Sequence, residues 1–138
     1  MKNLLTLLFI TLSAYAFAQK STTLDPKLIG KWKAVSKIET DKTNGVVTDL
    51  DKEIYKAGEK SYEFTKKNTV IITQGFGKHQ EELPAASDGN KLFIGKSNKN
   101  KTPYIVTISA GKIKLLKTET KTKKARKIIE TEEVILQL

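Results

Sequence analysis

His79 is the only histidine of the chain and sits in the polar run Gly77-Lys78-His79-Gln80-Glu81-Glu82; there is no cysteine anywhere. Those two facts bound the chemistry. A transition-metal site needs three or four convergent nitrogen, sulfur or oxygen ligands, and one imidazole without a thiol does not supply them. A calcium loop needs densely and regularly spaced acidic residues, and no stretch has that spacing. A serine or threonine nucleophile would need His79 as its base, with a third group to orient it. The strained Gly-x-Ser-x-Gly turn that exposes such a nucleophile is absent. Carboxylate pairs could be drawn from Asp49, Asp51, Glu81, Glu82 and Asp88, but any polar surface offers such pairs. The sequence therefore predicts no catalytic residues, no metal and no cofactor: not an enzyme.

The charge is the next feature. Lysine and arginine total 25 against 15 acidic residues, a formal net charge of +10. Arg126 is the sole arginine. Nucleic-acid readers depend on arginine for bidentate contacts to bases and phosphates, so a nucleic-acid partner is not expected. Lys121, Lys123, Lys124, Arg126 and Lys127 form one dense basic segment. Its simplest role is a solvated turn. Its functional role would be weak contact with an anionic envelope surface, at about 1 kcal/mol per lysine.

The N-terminus reads as a targeting segment. Met1-Lys2-Asn3 precedes the apolar run Leu4 to Leu12, and Ala16-Phe17-Ala18 places small residues where a signal peptidase reads them. The run is shorter than the roughly 20 apolar residues a bilayer crossing needs. Cleavage after Ala18 is expected, leaving residues 19–138 as one domain in the periplasm or outside the cell. With no cysteine after the apolar run, the protein is not expected to be a lipoprotein anchored through that residue.

The elements that would position any site are strands. Asp25-Pro26 starts a short helical turn through Ile29. From Trp32 onward the dominant pattern is alternation, the signature of half-buried strands. Trp32 to Ile38 reads as the first, and Asn44-Gly45 as a hairpin turn. Val46 to Tyr55 has no clean pattern. Further strands are expected at Ser61 to Thr65, Thr69 to Gln74, Lys91 to Ile94, Tyr104 to Ser109, Lys112 to Glu119 and Lys127 to Leu138. The turns between them fall at Lys67-Asn68, the glycines around Phe76, Ser87 to Asn90, Ala110-Gly111 and Lys121 to Arg126. Short strands in hairpin succession predict an all-β, antiparallel up-and-down barrel of about eight strands.

Alternation assigns an inward face. It holds Trp32, Ile38, Tyr62, Phe64, Ile72, Leu92, Ile94, Tyr104, Val106, Ile108, Ile113, Leu115, Val134 and Leu136. Trp32 would plug one end of the barrel just after Gly30, being large, rigid and mostly apolar. A small barrel is either filled by its own side chains or holds one small ligand. Tyr62 and Tyr104 are the members whose hydroxyls need a partner, in the ligand or in the protein.

At Leu28-Ile29-Gly30-Lys31-Trp32-Lys33 the chain resembles the lipocalins, and most of all the small exported lipocalin-like domains of bacteria. Ser61-Tyr62-Glu63-Phe64-Thr65, Lys91-Leu92-Phe93-Ile94 and the Tyr104 to Leu116 hairpin continue the likeness. The resemblance implies a calycin-type barrel that binds a small apolar or amphipathic ligand inside; a monomer is expected. One family feature does not carry over. Lipocalins often stack an arginine of the last strand on the tryptophan, whereas Arg126 lies about ten residues, or roughly 33 Å, from the end of that strand nearest Trp32. The ligand-binding residues expected from the inward face are Trp32, Ile38, Tyr62, Phe64, Ile72, Leu92, Ile94, Tyr104, Val106, Ile108, Leu115 and Val134. The second expectation is a filled barrel acting as an interaction module.

Overall fold

The computed structural model describes residues 23–96 and 101–138. The proposed signal segment lies outside the described residues. Among the described residues, nine strands follow one short 3₁₀ turn at Pro26–Leu28: β1 Gly30–Thr43, β2 Val46–Ile54, β3 Ser61–Phe64, β4 Thr69–Gln74, β5 His79–Asp88, β6 Lys91–Ile94, β7 Tyr104–Ser109, β8 Lys112–Lys123 and β9 Arg126–Gln137. All pairings are antiparallel. The order β1-β3-β4-β5-β6-β7-β8-β9 closes back on β1, so eight strands make a barrel and β2 is one extra strand.

The extra strand is accommodated because β1 is long. Its first residues, Gly30 to Lys33, pair with β3, and its later residues, Ser36 to Thr43, pair with β2 on the same edge. On its other edge β1 pairs with β9 from Lys33↔Gln137 to Thr43↔Ile128, and β9 pairs with β8 to the Lys123↔Arg126 tip. β7 pairs β8 no further than Leu116. A four-stranded sheet, β2-β1-β9-β8, therefore projects beyond the barrel. Its two hairpins turn at Asn44-Gly45 and Lys124-Ala125, each with positive φ at both residues, the conformation whose twist suits a two-residue hairpin.

The opposite end is closed. Gly30 has φ +135°, a conformation open to glycine and costly for other residues, and it turns the chain from the 3₁₀ turn into β1. Trp32 is then buried, and its Nε1 donates to the Leu28 carbonyl at 2.8 Å. Thr23 to Asp25, just before the 3₁₀ turn, are tied across this end. Leu24 N donates to Asn68 Oδ1, Asp25 N to Ser87 Oγ, and Ser87 N to the Thr23 carbonyl, each at 2.9 Å. Phe64, Val70, Leu92, Ile113, Leu115, Val134 and Leu136, each at most 2 % exposed, form the core with Trp32.

Two details of the fold differ from the expectation. β5 is a full strand where only polar sequence and a turn were read. It holds Glu81, Glu82 and Pro84, which favour strands poorly, and is fixed by neighbours on both sides. Pro84 stands where the ladder with β4 ends and that with β6 begins, a place where a missing N–H is tolerated. The last turn is also tighter, at Lys124-Ala125 rather than across Lys121 to Arg126.

Candidate functional site

The wide end of the barrel is where chemistry-bearing side chains collect. The cause is a single inserted residue. Between Ala34 and Ser36 the β1–β9 register shifts, so Val35 is extra and alternation beyond it is inverted. Opposed residues of an antiparallel pair share a face. Ala34 opposes buried Leu136, but the residue opposing buried Val134 is Lys37, and Ile38 opposes Glu133 and Lys52. Ile38 therefore lies on the outer face of the sheet, correcting its expected inward position.

From that point up, the inner face is charged. Following the ladders, it carries Lys37, Glu39 and Asp41 on β1, Glu53, Asp51 and Asp49 on β2, Glu132 and Glu130 on β9, and Lys117, Glu119 and Lys121 on β8. Eight of the fifteen acidic residues of a strongly basic chain thus share one concave face. Seven of them, all but Glu53, line a trough of about 450 Å³. Lysines partly compensate: Lys37 meets Glu39 at 2.7 Å, Lys121 meets Glu130 at 2.7 Å and Glu119 at 4.0 Å, and Lys117 meets Glu132 at 3.5 Å. Asp49 and Asp51 have no ion pair or side-chain hydrogen bond among the described residues.

A tyrosine layer separates trough from core. Tyr104 donates to Glu132 Oε1 at 2.8 Å, and Lys117 Nζ stands 4.9 Å from its ring centre. Tyr55 donates to Glu53 Oε2 at 2.6 Å. Lys60 Nζ lies 5.1 Å from the ring of Tyr55 and 5.6 Å from that of Tyr62. Burial and the fields of Glu132 and Glu53 push Tyr62 up to about 12. Burial and Glu132 raise Tyr104, and burial and Glu53 raise Tyr55. All three hydroxyls are thus neutral donors at neutral pH. Burial, helped by Lys37, lowers Lys60. Burial also opposes the charge on Lys37, but Glu39, Glu132 and Glu53 outweigh it and hold that ammonium above its ordinary value.

The residues expected to hold a ligand divide by depth. Trp32, Phe64, Leu92, Leu115 and Val134 belong to the sealed core. Tyr62, Ile72, Ile94, Tyr104 and Val106 lie in or against that core, all but Tyr62 retaining partial exposure. Ile108 is 39 % exposed and lines a separate cleft of about 310 Å³ at the closed end, beside Asp25, Lys27 and Ser87. Of the expected basic segment, Lys121 pairs with Glu130 at the trough, and Lys121, Lys123, Lys124, Arg126 and Lys127 are all exposed along the hairpin. His79 is exposed at the start of β5, and no metal-competent cluster of His, Asp or Glu occurs among the described residues. No signal along the sequence could have found the acidic trough, since its carboxylates come from four strands aligned only by register.

No family model, curated protein or solved structure matches this chain.

Proposed function

We propose that this is an exported, lipocalin-like binding protein that takes a small amphipathic ligand at the wide end of its barrel and performs no catalysis. The observation that carries the reading is the gradient along the barrel axis. The packed apolar core is bordered by Tyr62, which faces Ile72 across the β3–β4 ladder, and by Tyr104, whose hydroxyl reaches Glu132 of the charged trough. An amphipathic molecule matches such a gradient: its apolar part gains about 25 cal/mol per Å² of surface buried, and its polar group finds hydroxyl, carboxylate and ammonium partners one level higher. The filled base supports a site at the mouth rather than among Trp32, Phe64, Leu115 and Val134.

The test is a native mass spectrum of gently purified protein, followed by titration with a fatty acid, a long-chain amine, a retinoid and haem. Bound mass that is lost on denaturation supports the proposal, as does saturable binding weakened by Tyr104→Phe or Ile94→Ala. No binding from the whole panel, with a bare native mass, would contradict it.

A further inference from the structure

The projecting sheet has an edge that is built to be covered, and we infer that β2 docks an extended peptide segment in which lysine or arginine alternates with aliphatic residues, adding it as a further strand. The inference is independent of any ligand at the mouth. All nine residues of β2 are exposed, and among the described residues only β1 pairs with it. Its two faces differ in kind. Val47, Leu50 and Ile54 point to the outer face and are 49 %, 57 % and 68 % exposed; Asp49, Asp51 and Glu53 point to the trough.

Exposed edges are normally blunted by lysine, proline or brevity. β2 is long, has no proline and carries one lysine, Lys52. The opposite edge of the same sheet shows the protected form: beyond its pairing with β7, β8 runs Lys117-Thr118-Glu119-Thr120-Lys121-Thr122-Lys123, with no aliphatic residue. The contrast marks β2 as the edge kept for pairing.

The occupant follows from charge and period. A strand added to an edge contributes backbone hydrogen bonds, and alternate side chains meet the two faces separately. Aliphatic residues of the partner would cover Leu50 and Ile54. Residues on its other face would meet carboxylates, of which Asp49 and Asp51 lack partners, so they must be cationic. A second copy of β2 is disfavoured by the same row: aligned face to face, the two strands set carboxylates opposite carboxylates, which is destabilising in a sheet.

The experiment uses the purified protein, isotope-labelled on backbone nitrogen, and a peptide about seven residues long alternating lysine and valine. Controls are a peptide of the same composition with its lysines and valines in two blocks, and one alternating glutamate and valine. The inference predicts shifts and slowed hydrogen exchange at Val46–Ile54 with the alternating basic peptide alone, weakened by salt. Asp49→Lys combined with Asp51→Lys, both exposed, should weaken that peptide by at least about tenfold and admit the glutamate peptide. Equal binding of the block peptide, shifts confined to β8 and β9, or no binding would each overturn it. Protection of the β2 amides by self-association, without peptide, would overturn it in favour of a second copy.

Discussion

Tyr62 marks the level at which the barrel interior changes from hydrocarbon to charge. Its phenol is held neutral by burial and by Glu132 and Glu53, up to about 12. The sign of the pH effect follows. A folded value above the unfolded one contributes stability that is complete below pH 10 and is lost as pH rises through about 12. Alkaline titration followed by phenolate absorbance should show little ionisation of Tyr62 near pH 10 while the fold persists. Glu132→Gln removes the nearest negative field, so ionisation of Tyr62 and Tyr104 should move to lower pH. Trp32, the cross-strand partner of Tyr62, is buried, with its indole tied to the Leu28 carbonyl. Trp32→Ala should cost about 3–5 kcal/mol in urea unfolding. In the native protein a collisional quencher such as acrylamide should hardly touch its emission.

At the scale of elements, the inserted Val35 decides which side chains reach the trough. Its carbonyl accepts from Tyr55 N at 3.0 Å, so the bulge also positions the chain leaving β2. Deleting Val35 would turn Lys37, Glu39 and Asp41 outward and drive Ile38 in. The predicted outcome is loss of cooperative unfolding, checked by urea denaturation. The Lys124-Ala125 turn makes a milder prediction. Both residues have positive φ, which costs a residue with a side chain about 1–2 kcal/mol. Ala125→Gly should therefore raise the unfolding midpoint, with a net gain of up to about 1 kcal/mol once the freer unfolded chain is counted.

The same elements explain what could be read in advance. Strands such as Thr69–Gln74, Lys91–Ile94 and Tyr104–Ser109 announce themselves, because β-branched and aromatic alternation between turn residues is local information. The plug at Trp32 was legible for the same reason: a glycine, a short helical turn and one large ring lie within a few residues. β5 was not legible, since Glu81, Glu82 and Pro84 adopt a strand through neighbours that the local sequence does not reveal. Strict alternation sets Ile38 on the inner face because it cannot register the bulge at Val35. The tight Lys124-Ala125 turn carries neither glycine nor asparagine to mark it.

At the scale of the whole molecule, charge is segregated. The chain is basic overall, yet eight of its fifteen acidic residues share one face of the projecting sheet, and one of them, Glu132, accepts from Tyr104 of the barrel. This arrangement supports the proposed binding at the wide end of the barrel. The most direct test is a chemical-shift map of the protein titrated with a long-chain amine and, separately, a fatty acid. The account predicts saturable shifts at Tyr62, Ile72, Ile94, Tyr104 and the trough residues of β8 and β9 with at least one of them, while the Trp32 indole and the Leu136 methyls stay unmoved. Shifts centred on Trp32, Phe64 and Leu136, or none from either compound, would contradict a binding site at the mouth.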